Sequence, residues 1–118
     1  MREHRDNLQY LADMLEHARA AVRFTASYTE ETYFDDQLRR FALLHAVQII
    51  GEAAKKVDAS VKDSLPDIPW AQIIGCRNVI AHDYDEIEDP LVWRIVADHL
   101  PALIDRLEGF FKAKGIVV

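Results

Sequence analysis

The chain has 118 residues, of which 50% are hydrophobic, and it contains only four glycines and four prolines. A chain of this length can bury roughly two thirds of its unfolded surface in one domain, and the composition excludes a disordered or low-complexity protein. The formal net charge is −6, which argues against a protein that coats nucleic acid through an extended basic surface. We therefore expect a single domain over residues 1–118, in which any contact with RNA is local.

The N-terminal segment is too polar for a signal peptide, and the apolar runs are too short for a membrane span. Cys76 is the only cysteine, so no internal disulfide can form, and no Cys or His cluster surrounds it for zinc. We expect a cytoplasmic protein without a membrane segment, metal or cofactor, in which Cys76 is a small buried hydrophobic residue.

Apolar residues recur at steps of three and four in the first half of the chain, which is the spacing of one helix face. The second helix is predicted over residues 34–57, with Asp35 and Asp36 near its positive N-terminal end. The inward residues of the first helix are Leu8, Leu11, Leu15, Ala18 and Val22. The inward residues predicted for the second are Phe34, Leu38, Phe41, Leu44, Val47, Ile50, Ala54 and Val57.

Prolines mark the starts of two further helices. Pro69 suits the first turn of the third helix, Asp89 and Pro90 open the fourth, and Pro101 is expected to kink it. The third helix carries Trp70, Ile73, Ile74 and Ile80, and the inward residues of the fourth are Val92, Ile95, Val96, His99, Leu100, Leu103, Ile104, Leu107 and Phe111. We expect an all-α fold, an antiparallel bundle of four long helices with a short fifth around 61–65.

Four residues of this bundle call for a specific role. His45 and His99 fall on predicted inward faces without metal-ligand spacing, so they are expected to be core or interface histidines. Gly51 lies inside a helix, where glycine costs about 1 kcal/mol relative to alanine, and it predicts the close approach of another helix or subunit. Glu52 is either a partner for a cation such as Arg77 or a solvated glutamate.

The segment 77–84 reads RNVIAHDY and gathers a cation, an amide, an imidazole and a phenol. The guanidinium of Arg77 matches phosphate oxygens, and His82 has an ordinary pKa near cellular pH. On a straight helix the two residues diverge by about 140°. Either the helix ends near Ala81 and the chain turns His82 back, or a second copy of the segment completes the site across a two-fold axis.

Two copies of His82 would solve a chemical problem. RNA cleavage by the 2′-hydroxyl needs a base and an acid, and one histidine cannot hold both protonation states at once. Arg77 and Asn78 would then donate hydrogen bonds to the phosphate as negative charge builds there. The same residues also fit a plain structural role, in which Arg77 pairs with surface carboxylates and His82 caps a helix C-terminus.

The order of the segments IIGEAAKKV, IPW, GCRNVIAHDY and VWRIV resembles the HepT-like toxins of the HEPN superfamily. Arg77, Asn78 and His82 match the superfamily pattern, and Tyr84, two residues beyond the histidine, matches its extension in the HepT-like branch. The resemblance implies a metal-independent endoribonuclease toxin that acts as a homodimer, with a cleft lined by both motifs. It also implies a minimal nucleotidyltransferase antitoxin that silences the toxin by transferring AMP to Tyr84.

The acidic run at 83–89 adjoins this proposed cleft and would repel RNA unless it turns away. An alternative hypothesis is therefore a non-catalytic helical module that binds a partner in a nucleotidyltransferase complex. A third is an enzyme that acts on free nucleotides and leaves RNA whole.

Overall fold

A computed structural model describes the backbone of residues 2–82 and 89–118 and the side chains of residues 6–80 and 90–118. These ranges are helical and contain no strand, which confirms the all-α expectation. The elements are α1 (Arg2–Thr25), α2 (Glu30–Phe34), α3 (Gln37–Lys56), α4 (Ala59–Ser64), α5 (Trp70–His82), α6 (Asp89–Arg94), a π-helical turn (Ile95–His99) and α7 (Leu100–Ala113).

The core lies where α1 packs on α3 and α7, and α5 also packs on α3. Its fully buried side chains include Leu11, Met14, Leu15, Leu43, Leu107 and Phe111. A pair of hydrogen bonds ties α1 to the start of α4. The side-chain amide of Asn7 donates to Asp58 Oδ2 at 3.0 Å, and the Asp58 backbone N–H donates to Asn7 Oδ1 at 3.0 Å. Because Asn7 is buried, this contact fixes the connection that leads into α5.

The predicted second helix is divided into α2 and α3. Asp36 is the N-cap of α3, where its carboxylate accepts a hydrogen bond from the backbone N–H of Arg39 at 3.0 Å. Thr29 caps α2 with a reciprocal capping box to Thr32. The long helix therefore begins at Gln37 instead of residue 34, because an aspartate whose side chain caps a helix terminates the segment before it.

The inward face predicted for the second helix is partly wrong. Leu38 is 77% exposed and Phe41 is 60% exposed, and His45 is also exposed instead of inward. The buried residues of α3 are Leu43, Ala46, Val47, Ile50, Gly51, Ala53 and Ala54. The helix has apolar residues on two sides, and the side that carries alanines and glycine lets α1 and α5 approach closely, so that side forms the core.

The predicted fourth helix contains a π-helical turn, Ile95–His99, immediately before α7. The Leu100 N–H donates to the carbonyl of Ile95, five residues back. Pro101 has no N–H to continue the regular hydrogen-bond pattern, so the helix widens by one residue at this point. His99 is exposed here, and the expectation of an inward His99 is wrong.

Candidate active site

Helix α5 carries the first part of the RNVIAHDY segment, and its start is well defined. The Trp70 indole N–H donates to the Leu65 carbonyl at 3.0 Å, and the Ile73 N–H donates to the Pro69 carbonyl at 3.1 Å. Proline is favoured at this position because its missing N–H would have no helical partner. The short helix α4, Ala59–Ser64, lies near the residues 61–65 predicted from the sequence. Together these contacts bring α5 back along α3.

Gly51 is the point at which α3 and α5 cross. A Cβ atom built on Gly51 would overlap the Cβ of Arg77 and lie 3.2 Å from the carbonyl oxygen of Ile73. Only glycine leaves room for this approach, which confirms the prediction that another helix packs closely here. Arg77 therefore starts at the helix crossing and extends from there toward the surface.

The guanidinium of Arg77 is held by two neighbours. Its Nη2 donates to Glu52 Oε1 at 3.3 Å, and its Nη1 donates to Asn78 Oδ1 at 3.2 Å. The side chain of Arg77 is 20% exposed and that of Glu52 is 38% exposed. The buried Nε of Arg77 has no hydrogen-bond partner among the described residues. Of the two readings of Glu52, the structure supports the ion pair with Arg77.

This ion pair orients Arg77 more than it stabilises the fold. Exposed and half-exposed pairs contribute about 0–1 kcal/mol, because water screens both charges. Arg77 has five N–H donors, and two of them are used by Glu52 and Asn78. The arrangement leaves donors that an incoming anionic oxygen can accept from, which is what binding of a phosphate requires.

Neighbouring positions on the two crossing helices point to different surfaces. A helix turns about 100° per residue, so residues 76 and 78 project about 160° apart on either side of Arg77. Cys76 lines a groove, whereas Asn78 is exposed beside the guanidinium. On α3, Ile50 lines the same groove and Glu52 lies with Asn78. We call the surface formed by Arg77, Asn78 and Glu52 the motif side.

His82 is the last residue of α5, so its backbone is still helical. Its position on the helix is about 140° from that of Arg77 and about 40° from that of Asn78. The helix therefore makes no turn before His82, and its end agrees with the expected end near Ala81 to within one residue. The side chain of His82, Tyr84 and the acidic run at 83–89 lie outside the residues whose side chains the structure describes.

Sequence reasoning missed the exposed apolar face of α3. Leu38, Phe41, His45, Gln48 and Glu52 follow one another at steps of three and four, and we call them the outer stripe. Two of its members are the strongly exposed Leu38 and Phe41. The stripe ends at the motif side, because Glu52 belongs to both. The sequence could have revealed this face, because α3 carries apolar residues on two sides and a single core buries only one of them.

The other side of α5 borders a groove with a volume of about 580 Å³, floored by Val47 and Ile50. Cys76 lies in its wall and is half-buried instead of fully buried. Burial raises the pKa of the Cys76 thiol. Among the described residues, no group of three or more His, Cys, Asp or Glu side chains is placed to hold a metal ion. Within the same residues, no helix has the length and apolar character needed to cross a membrane.

A family model and individual relatives assign this chain to the same family. The family model described as "Ribonuclease HepT-like" matches residues 14–109. The chain is 31% identical over 111 residues to "Probable ribonuclease HepT" of Thermococcus cleftensis, covering 94% of this chain and 98% of that protein. It is 31% identical over 104 residues to "Putative RNase MJ1380" of Methanocaldococcus jannaschii, covering 88% of this chain and 95% of that protein.

No solved structure gives a significant match. The family model nevertheless covers most of the chain, and the two relatives are covered nearly end to end. The family model and the names of both relatives refer to ribonucleases, which supports ribonuclease activity at the level of the family. The chain belongs to the HepT-like ribonuclease family of the HEPN superfamily.

Proposed function

We propose that this protein is a metal-independent endoribonuclease toxin that works as a homodimer and cleaves RNA at a cleft shared by two copies of the motif. The observation that carries the proposal is the placement of Arg77. Its guanidinium is held at the surface by Glu52 and Asn78, on the helix that continues to His82. Phosphate cleavage by acid-base catalysis requires a cation and a titratable imidazole at one phosphate, and pairing of two copies would supply both.

The reaction proceeds by attack of a ribose 2′-oxygen on the neighbouring phosphorus. One His82 imidazole takes the proton of the 2′-hydroxyl, while His82 of the second subunit, in its protonated form, gives a proton to the departing 5′-oxygen. Arg77 and Asn78 donate hydrogen bonds to the non-bridging oxygens. Each proton transfer contributes about 10²- to 10⁴-fold to the rate, and the hydrogen bonds stabilise the charge that builds in the transition state.

The outer stripe supports the pairing of two copies. Leu38 and Phe41 expose large apolar side chains on the face that also carries Glu52. Exposed apolar surface of this kind marks an interaction site, and a two-fold interface brings the same surface of both copies together. Pairing through this face would put two Arg77 guanidiniums near each other, so an anionic strand would be attracted locally despite the net charge of −6.

Regulation follows from the same site. A minimal nucleotidyltransferase antitoxin would transfer AMP from ATP to the hydroxyl of Tyr84, two residues beyond His82, with attack of the phenol oxygen on the α-phosphorus, loss of its proton and release of pyrophosphate. The added phosphate carries negative charge that would pair with Arg77 and repel an RNA backbone. Intact mass measurement of protein produced with and without such a partner tests this step. A gain of one or more adenylyl units on the peptide that contains Tyr84 is expected, and an unchanged mass would contradict it.

Cleavage is tested with purified unmodified protein and RNA in the presence of a chelator. His82→Ala and Arg77→Ala are expected to lower the cleavage rate by at least about 10²-fold. His99→Ala is the matched control, because His99 is an exposed histidine away from the motif side, and it should cleave at the wild-type rate. Equal activity of wild type and His82→Ala would overturn the proposal, provided that both are dimers by light scattering.

A non-catalytic partner-binding module is the second candidate, and the apolar groove beside α5 favours it. This candidate predicts that the unmodified protein leaves RNA whole and is harmless when produced without a partner. The same cleavage assay therefore separates the two functions. Turnover of mononucleotides with intact RNA would instead support an enzyme that acts on free nucleotides.

A further inference from the structure

The groove beside α5 lies on the opposite side of that helix from the motif side. One wall is α5, the other is formed by α6, the π-helical turn and α7, and α3 forms the floor. Among the described elements, α5 packs mainly on α3. On its groove side α5 carries apolar residues, among them Ile73, Val79 and Ile80, whereas its polar Asn78 lies on the motif side. Among the described residues this side is only partly covered, because Val79 is 46% exposed and Cys76 is half-buried.

The shape of the groove identifies the kind of object that fits it. Along α5 the wall is formed by Pro69, Ile73, Cys76 and Ile80, which follow the spacing of one helix face. These residues span about 16 Å at 1.5 Å per residue. The opposite wall is also helical and runs from Leu91 to Arg106. A channel between two helices with an apolar floor is the geometry into which a third helix packs, through aliphatic side chains at i, i+3, i+4 and i+7.

The second copy of this chain is assigned above to the outer stripe, whose Leu38 and Phe41 are more exposed than Val79 and Leu91 of the groove. Two-fold pairing places identical surfaces against each other, and two concave surfaces brought together leave the space between them empty. Contact between the groove of one copy and a different surface of the next is heterologous, and it would give a ring or a filament instead of the two-fold dimer proposed above. The occupant is therefore a convex element of a different protein.

The charged residues of the groove wall indicate which side chains the bound element should carry. Asp98 is exposed, lines the groove and forms no ion pair with any residue that the structure describes. Asp67 also lines the groove and is bridged to Arg106 at 3.8 Å, with both side chains mostly exposed. A basic residue beside the aliphatic face of the occupant would give Asp98 a partner.

We propose that the groove between α5 and the α6 to α7 wall binds an amphipathic helix of a partner protein, with its aliphatic side chains inward and a basic residue next to Asp98. This site is separate from the motif side, so it does not depend on ribonuclease activity. It gives the protein a means of holding a partner while the motif side remains available for a second copy and for RNA.

The test is a selection from a displayed library of helical peptides about 15 residues long, with wild-type protein as the target. Val79 and Leu91 line the groove and are 46% and 48% exposed, so Val79→Glu and Leu91→Glu should fold. Phe41→Glu is the matched control, because Phe41 is an exposed apolar residue on the outer stripe. Circular dichroism melting of each variant verifies folding.

Selected peptides are expected to carry aliphatic residues at i, i+3, i+4 and i+7 and a basic residue beside them. Their affinity should fall at least about tenfold for Val79→Glu and Leu91→Glu and stay unchanged for Phe41→Glu. Bound peptide should slow alkylation of Cys76, the only cysteine of the chain. Asp98→Lys should remove the preference for a basic residue.

Three results would overturn the proposal. The first is a selection that yields no binder sensitive to the groove variants. The second is a set of binders that lose affinity equally for Phe41→Glu. The third is a set of binders that leave Cys76 as reactive as in the free protein.

Discussion

The two sides of α5 differ in chemistry although they are built from adjacent residues. Asn78 lies on the motif side with Arg77 and Glu52, whereas Cys76 lies in an apolar groove with Ile50. The helix crossing at Gly51 and Arg77 separates them. This close contact positions the cation on one surface, while the groove lies between α5 and the C-terminal helices. The comparison teaches that adjacent residues of one helix can serve two surfaces of opposite polarity, because each position turns by about 100°.

The largest expected effect tests which side of α5 lies at the interface of the proposed homodimer. Phe41→Glu places a charge in the apolar part of the outer stripe, where a buried phenylalanine would contribute about 1.5–3 kcal/mol to association. The dimer dissociation constant should therefore rise by at least about tenfold, as measured by analytical ultracentrifugation.

Val79→Glu is the matched control for this measurement. Val79 is also an exposed apolar residue, but it lies on the groove side, so its substitution should leave the dimer intact. If Val79→Glu dissociates the dimer and Phe41→Glu does not, the roles assigned to the two sides are reversed.

The next effect concerns the helix crossing that separates the two sides. Gly51→Ala forces a Cβ into Arg77, and overpacking of this kind costs about 1–3 kcal/mol in the free energy of unfolding. Gly75→Ala, on α5 itself, meets nothing within 4 Å and should instead stabilise the helix by about 0.5–1 kcal/mol. Urea denaturation of both variants measures the difference. A stable Gly51→Ala protein would show that the crossing is looser than described.

The existence of the main helices could be predicted from the sequence because their apolar spacing is regular. The starts near Pro69 and at Asp89 followed from cap and proline chemistry, and the close approach at Gly51 followed from the cost of glycine in a helix. The division before α3 was missed, although Asp36 is a capping residue. Its neighbour Asp35 and the apolar residues around them extended the helical pattern across the break.

Two features of the site could not be predicted, the exposed face of α3 and the groove beside α5. Both depend on which helix faces are buried in the folded chain. Leu38 and Phe41 have the same spacing as true core residues, and spacing alone does not tell whether such a residue is buried or exposed in the folded chain. The groove could not be predicted either, because it results from the separation between α5 and the C-terminal helices. The ion pair between Glu52 and Arg77 could be predicted only as one of two alternatives, because Glu52 adjoins the glycine at the crossing but could also be solvated.

A smaller effect is expected from the ion pair on the motif side. Glu52→Gln keeps an acceptor for Arg77 but removes the charge, so the free energy of unfolding should fall by no more than about 1 kcal/mol. If Glu52 orients Arg77 for RNA, Glu52→Gln should lower the cleavage rate even where the variant is fully folded, so the loss of rate should exceed that expected from the small loss of stability. A double-mutant cycle with Arg77→Ala measures the coupling. Additive effects on cleavage would mean that Glu52 does not act through Arg77.

The smallest effect lies at the start of α3, the helix that carries both the outer stripe and the groove floor. The backbone N–H of Arg39, and next the hydroxyl of Tyr28 at 2.9 Å, hold the pKa of Asp36 below its usual value of 3.8. Because its pKa is lowered in the folded state, ionised Asp36 adds to the free energy of unfolding above pH 3.8. This stabilisation is lost as the pH falls through the folded pKa. Asp36→Asn keeps an N-cap acceptor but does not titrate. On acidification below pH 4 the wild type should therefore lose slightly more thermal stability than Asp36→Asn, because only the wild type has a carboxylate to protonate at the cap. Parallel melting curves would contradict this, since they would mean that the pKa of Asp36 is the same in the folded and unfolded chain.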